Sequence, residues 1–206
     1  MILGGLSFVH WLVVLSACVS IGGGSLYIRN TLAGKTKPNR VSWFMWALAP
    51  LVGTAAAIAA GADVWVSSRI FLAGFIPLLV VAASFLNPQS YWKLTAFDFL
   101  CGVCSFIAFI VWVFAGSPRL AILLAALGDA LAALPTIRKA WSYPETETGI
   151  TYIASSISVF LVLPSIPVWN IENSAFQIYL LAVNACLLFS IYRKRIFKRD
   201  NAYAHS

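Results

Sequence analysis

Seven stretches of the sequence are apolar over about twenty residues each, and this pattern limits the possible folds more than any other feature. An α-helix needs about twenty residues to cross the ~30 Å hydrocarbon layer of a membrane. Hydrophobic residues make up 61% of the chain and charged residues only 10%, so little remains for a soluble domain. The stretches lie near residues 6–28, 41–60, 65–86, 94–115, 119–138, 149–167 and 174–192. We therefore predict an all-α integral membrane protein with seven transmembrane helices.

The net charge of +7 comes from basic residues that lie almost entirely on one side of the predicted spans. Twelve of the fourteen fall in the first, third and fifth loops and in the C-terminal tail: Arg29, Lys35, Lys37, Arg40, Lys93, Arg138, Lys139, Arg193, Lys194, Arg195, Lys198 and Arg199. The positive-inside rule makes that side cytoplasmic, with the N-terminus outside and the C-terminus inside. A basic tail directly after a span is typical of a topology anchor near anionic lipid. We expect a multi-pass cell-membrane protein that has the lipid bilayer, and no nucleic acid, as a partner.

Two similar segments lie 109 positions apart, Ser25-Leu-Tyr-Ile-Arg-Asn and Leu134-Pro-Thr-Ile-Arg-Lys. Each is followed, after a loop of similar length, by a hydroxyl residue and an aromatic one, Ser42-Trp43 or Thr151-Tyr152. This pattern indicates an internal duplication. We predict two parallel three-helix repeats in a 3+1+3 arrangement, with residues 1–90 and 118–193 as the repeats, 91–117 as a linker transmembrane helix and 194–206 as a basic cytoplasmic tail.

Several polar residues fall deep inside the predicted spans of the second repeat. Asp129 lies nine residues before Arg138, about 14 Å from the membrane boundary, and Asn184 lies at a similar depth in span seven. In span six, hydroxyl residues recur at helical spacing and form one stripe: Thr148, Thr151, Ser155 and Ser158. A carboxylate at this depth is costly if ionised and unpaired, so it usually faces a cavity or takes up a proton. The counterpart of Asp129 in the first repeat is Ser20.

Other residues have a structural interpretation beside a functional one. Asn184 and the hydroxyl stripe are also typical of hydrogen bonds that join membrane helices. Trp46 fits either an interfacial aromatic belt or the lining of an entrance. Asp98 lies five residues from Lys93, near the membrane boundary, and we predict a structural role for it, either paired with Lys93 or reaching the interface. Prolines inside spans remove a backbone hydrogen bond and offer hinges, which we predict at Pro50, Pro77 and Pro135.

The segment Leu134-Pro135-Thr136 resembles the motif of the PQ-loop and SWEET superfamily, in which each repeat has a Pro-Gln pair at the cytoplasmic end of its first helix. Thr136 stands in place of the Gln, and the first repeat has Leu26-Tyr27 there. The loops at 37–44 and 144–147 are similar to those of uncharacterised bacterial membrane proteins. The resemblance implies a bacterial inner-membrane transporter that moves a small polar solute by alternating access.

The resemblance also implies roles for single residues. Asp129 resembles in location the fifth-helix Asp that is thought to bind the coupled proton in proton-coupled PQ-loop transporters. Asn184 resembles the substrate-binding Asn of the seventh helix in SWEET proteins, while the matching position in span three is Phe75. We expect a sugar, an amino acid or a similar metabolite to bind at a site formed by Asn184, Ser155, Ser158, Trp46 and Ser20.

Two other classes of function stay open. Proteins of the same seven-helix architecture include receptors and sorting proteins that do not transport. A thiol oxidoreductase would use Cys101 and Cys104, but the sequence has no loop-borne cysteine pair for exchange, so we interpret all four cysteines as packing residues. His10 and His205 belong to no cluster of metal ligands. We expect no cofactor, no metal and no enzymatic activity, and the option of a homo-oligomer remains.

Overall fold

The computed structural model describes residues 7–59, 61, 64–166 and 168–203, and within these residues all regular secondary structure is helical. Three short 3-10 helices cover Pro88–Ser90, Pro144–Thr146 and Leu163–Ser165. The α-helices are α1 Phe8–Leu32, α2 Arg40–Ala59, α3 Val64–Leu86, α4 Ala96–Val113, α5 Pro118–Ser142, α6 Gly149–Val162 and α7 Ile171–Tyr203.

Six of these helices are long and apolar enough to span a membrane, as the apolar stretches of the sequence predict. The exception is α6, whose 14 residues extend over about 21 Å and so fall short of the ~30 Å hydrocarbon layer. Pro164 lies in the 3-10 turn that follows α6, and proline cannot donate the backbone hydrogen bond that would continue the helix. The prediction of an all-helical chain with apolar helices of membrane-spanning length is confirmed for the described residues, while the sixth predicted span is a shorter helix than expected.

Polar side chains at the helix starts explain several of the boundaries. The Asn39 side-chain oxygen accepts hydrogen bonds from the backbone N–H groups of Val41 (3.1 Å) and Ser42 (3.3 Å) at the start of α2. At the start of α4, the Asp98 carboxylate accepts from the backbone N–H and the hydroxyl of Thr95, at 2.6 and 3.0 Å. These bonds satisfy N–H groups that have no partner within the helix. Asp98 thus has the structural role predicted for it, through Thr95.

Two helices continue further than the sequence pattern indicated. α5 extends past Pro135 to Ser142, so that Arg138 and Lys139 belong to a helix and not to a loop. α7 continues without a break to Tyr203, through most of the predicted tail. Pro50, Pro77 and Pro135 all lie inside helices, as predicted, and none of them ends its helix.

Six helices form a closed series of neighbours. α1 contacts α3, α3 contacts α2, α2 contacts α5, α5 contacts α7, α7 contacts α6, and α6 contacts α1. α4 lies against α5 and α2 and exposes most of its large apolar side chains, among them Phe99, Val103 and Phe106. α4 is therefore peripheral to the other six.

One end of the bundle holds the ends of α1, α5 and α7, the starts of α2 and α6, and the loops at 33–39 and 143–148. We call it the basic end, because the predicted cytoplasmic cations lie there. The best-buried aromatic side chains also lie near it: Tyr27, Trp43 and Tyr152 are at most 4% exposed. The Tyr27 ring lies 4.4 Å from the Trp43 ring and 6.4 Å from the Tyr152 ring, measured between centroids. This aromatic layer fills the bundle below the two loops.

Candidate functional site

Asp129 lies at the middle of α5 and is hydrogen-bonded to α7. The Tyr179 hydroxyl donates to Asp129 Oδ2 at 2.7 Å. Asp129 is the twelfth of the 25 residues of α5, which agrees with the depth expected from the sequence. The side chain is half-buried. A carboxyl group near the centre of a membrane helix, with a single hydroxyl donor, is well suited to exchange a proton.

A small cavity of about 20 Å³ adjoins Asp129. Its walls come from α2, α4 and α5: Met45, Ala49, Ser105, Phe109, Trp112, Leu124, Ala125, Gly128 and Asp129. This volume is enough for about one water molecule, so the carboxyl group has room for a hydrogen-bonded proton carrier. The sequence predicts α4 only as a linker helix, so its contribution to the wall of this cavity is a new finding.

Trp46 of α2 lies beside the Asp129 carboxyl group. Its indole N–H is buried and makes no hydrogen bond of normal geometry. The Trp46 ring also contacts Trp43, with the centroids 5.3 Å apart. Trp46 therefore lies inside the bundle, but it does not line the cavity beside Asp129, and its role in substrate binding stays a prediction.

The predicted serines and the asparagine are brought together in pairs, but each pair is already hydrogen-bonded. Ser20 of α1 donates to Ser158 of α6 at 2.7 Å, and Ser16 also lies 2.7 Å from the Ser158 hydroxyl. Asn184 of α7 donates to Ser155 of α6 at 2.9 Å. These contacts agree with the interpretation of the hydroxyl stripe as a set of bonds between helices, and the five predicted substrate residues do not line one common cavity among those described.

A buried ion pair at the basic end was not predicted. Lys139 Nζ contacts Glu147 Oε1, and both side chains are essentially inaccessible, at 1% and 0% exposure. The hydroxyls of Tyr27 and Tyr152 each donate to Glu147 Oε2 at 2.9 Å. Lys139 Nζ also donates to the backbone carbonyl of Lys37. The Glu147 carboxylate therefore meets one cation and two hydroxyl donors, which compensates for its removal from water.

The same cluster joins the two loops of the basic end. The Lys37 N–H donates to the Thr146 carbonyl at 3.0 Å. Thr148 Oγ1 lies 2.6 Å from Thr36 Oγ1 and accepts from Asn30 Nδ2 at 3.0 Å. Lys37 and Thr146 are 109 positions apart in the sequence, the same offset as the repeated segments. The loops thus meet at equivalent points, and together with the aromatic layer they close the basic end.

The sequence contained a signal for this cluster. Motifs stand out at 37–44 and 144–147, and each of the loops 33–39 and 143–148 is followed by an aromatic residue at the equivalent position, Trp43 or Tyr152. In the sequence pattern Lys139 belongs to the cations of the fifth loop, and Glu147 is the last residue of the motif at 144–147. The spacing of Lys139 and Glu147 and the composition around them do not distinguish a buried ion pair from two exposed charges.

No group of three His, Cys, Asp or Glu side chains close enough to bind a metal ion occurs in the described part of the chain. All four cysteines are free, and Cys101 is buried. Comparison with known protein families, curated proteins and solved structures finds no match to this chain.

Proposed function

We propose that the protein is a SWEET- or PQ-loop-like membrane transporter that moves a small polar solute by alternating access, coupled to protons through Asp129. The observation that carries this proposal is the environment of Asp129. Its carboxyl group is half-buried at the middle of α5, accepts a hydrogen bond from Tyr179 and adjoins a water-sized cavity. An intramembrane carboxylate is expensive to keep and usually marks a path for ions or solutes.

The neighbour relations of the helices support two equivalent three-helix units. In the first unit α3 lies between α1 and α2, and in the second α7 lies between α5 and α6. Two pairs of helices form the contact between the units: α1 with α6, and α2 with α5. These are the contacts expected if the 109-residue duplication relates α1–α3 to α5–α7, with α4 as the linker. Transporters built from such repeats bind their solute at the repeat interface near the midplane.

The positive-inside rule supports a cytoplasmic location for the basic end. In that orientation the two loops, the Lys139–Glu147 pair and the aromatic layer close the cytoplasmic side. The structure then corresponds to a state that is shut toward the cytoplasm, and transport requires this closure to open. A bacterial inner membrane is the proposed location.

The test of transport begins by finding a ligand and then separates flux from binding. Purified protein is screened by thermal shift against pools of sugars, amino acids and vitamins, because a ligand that binds only the folded state raises the melting temperature. The stabilising solute is then used in a counterflow assay with proteoliposomes. We expect uptake of labelled solute above that of empty liposomes. Saturable binding without any counterflow would contradict transport and would favour a receptor.

A further inference from the structure

The two interfaces between the proposed three-helix units differ in how well their polar groups are bonded. We call the contact of α1 with α6, including the helix-end residue Thr148 and the loop residue Thr36, the α1–α6 seam. Hydrogen bonds follow its whole length: Thr148 with Asn30 and Thr36, Thr151 with the Gly23 carbonyl at 2.8 Å, and Ser158 with Ser16 and Ser20.

The contact of α2 with α5, together with the N-terminal cap Asn39, is here the α2–α5 seam, and it has the opposite character. Between residues 39–46 and 129–136 of the described chain, the Trp46 indole N–H lies beside the Asp129 carboxyl group without a bond of normal geometry, and no other side-chain hydrogen bond crosses the seam. Asn39 Nδ2, Ser42 Oγ and Thr136 Oγ1 have no hydrogen-bond partner. All three residues have an exposed fraction of 0%. The indole N–H of Trp43 is also unbonded, although it lies beside the Tyr27 hydroxyl.

Helical spacing places these groups in line with Trp46 on α2 and with Asp129 on α5. Positions 39, 42 and 46 recur at three- and four-residue intervals and therefore lie on one face of α2. On α5, Thr136 follows Asp129 by seven residues, about two turns or roughly 10 Å along the same face. The unbonded groups consequently extend from the basic end to the middle of the bundle.

Buried polar groups without partners are rare in folded proteins and call for an explanation. Of the nine such side-chain atoms among the described residues, five belong to α2, its cap or α5, and none belongs to α1 or α6. A general shortage of partners would affect both seams alike. The asymmetry instead indicates that the α2–α5 seam meets its partners, water or solute, in another state of the bundle.

We infer that the basic-end half of the α2–α5 seam is a polar solute site, in which Asn39, Ser42 and Thr136 donate hydrogen bonds to the acceptor oxygens of a small hydroxylated or carboxylated solute when the seam opens, while the α1–α6 seam stays closed as a hinge. The inference rests on the proposed transport function, and it adds which of the two interfaces between the three-helix units binds the solute. An amide N–H₂ group and two hydroxyls match oxygen acceptors best, because the Asn39 side-chain oxygen is already occupied at the start of α2.

Cysteine accessibility tests which seam opens. Single cysteines replace Ser42, Thr136, Thr151 or Ser158 in a variant whose native cysteines 18, 101, 104 and 186 are changed to Ala, and the purified protein is treated with a charged methanethiosulfonate. We expect Ser42→Cys and Thr136→Cys to react at least tenfold faster than Thr151→Cys and Ser158→Cys. Equal rates, faster labelling of the α1–α6 seam, or no labelling of either seam would overturn the inference.

A second measurement does not depend on labelling or on transport. Thr136→Val removes an unbonded hydroxyl with little change of shape, whereas Thr151→Val removes a hydroxyl bonded to the Gly23 carbonyl. We expect Thr136→Val to raise the melting temperature or leave it unchanged, and Thr151→Val to lower it by several degrees. A comparable loss in both variants would show that Thr136 has a partner and would overturn the inference. If the α2–α5 seam labels as expected while no solute is transported, the proposed function fails and the opening of this seam stands.

Discussion

Lys139 and Glu147 form a buried ion pair across the turn that joins α5 to α6. Each of the two residues is also hydrogen-bonded to the first half of the chain. Glu147 accepts from Tyr27 of α1, and Lys139 donates to the Lys37 carbonyl in the loop between α1 and α2. Two charges that lie within eight residues of one another therefore hold both halves of the bundle together at the basic end.

Removing one member of this pair should destabilise the protein strongly. Lys139→Met or Glu147→Gln leaves an inaccessible group without its compensating partner, at a cost of about 3–5 kcal/mol for an unpaired buried charge. The double variant Lys139→Met/Glu147→Gln should be more stable than the sum of the two single losses predicts. Thermal melting in detergent, analysed as a double-mutant cycle, measures this coupling. Simple additivity of the two losses would contradict the ion pair.

The two tyrosines that donate to Glu147 should contribute separately. Tyr27→Phe and Tyr152→Phe each remove a hydrogen bond to a carboxylate, worth about 1.5–3 kcal/mol, while the buried rings remain in place. Tyr143, whose side chain is 52% exposed, provides the control Tyr143→Phe, for which we expect little change. The melting temperatures of the three variants measure what each tyrosine hydroxyl contributes to stability. If Tyr143→Phe matched the other two, the loss would come from something other than the Glu147 bonds.

Close approach of α1 and α6 at Gly23 leads to a prediction with a neighbouring control. A Cβ atom on Gly23 would lie 2.5 Å from the Ala154 Cβ atom, whereas one on Gly22 would meet nothing within 4 Å. Gly23→Ala should therefore lower the melting temperature, because the helices must move apart, and Gly22→Ala should leave it unchanged or raise it slightly. Similar melting temperatures for the two variants would contradict the tight α1–α6 seam.

The helices of this protein could be predicted from the sequence because a membrane imposes a simple requirement. A segment that crosses hydrocarbon must satisfy its own backbone groups, so that long apolar runs become helices. The limits of this rule appear at α6, where Pro164 ends a helix shorter than the apolar run. They also appear at α5, which continues through Arg138 and Lys139. The apolar run ends where charges begin, but a helix ends only where its hydrogen bonding ends.

The site was predicted less completely because hydrogen-bond partners are not visible in one sequence. Depth counting located Asp129, since depth depends only on position along one helix. It could not show that Tyr179 bonds to Asp129, that Ser158 bonds to Ser20, or that Glu147 is buried. Each of these depends on which helix faces are in contact. The roles of Trp46 and Asn184 in substrate binding depend on such contacts too, and they remain predictions.

The most direct test of the account measures protons and solute together. Proteoliposomes contain a pH-sensitive dye, and an inward gradient of the solute found by thermal shift is applied to the wild type and to Asp129→Asn. Glu145→Gln, which changes an exposed acid in the loop between α5 and α6, is the control. We predict solute-driven acidification of the lumen in the wild type and in Glu145→Gln, and none in Asp129→Asn. Solute-driven acidification by Asp129→Asn at the wild-type rate would contradict the central claim that Asp129 carries the coupled proton.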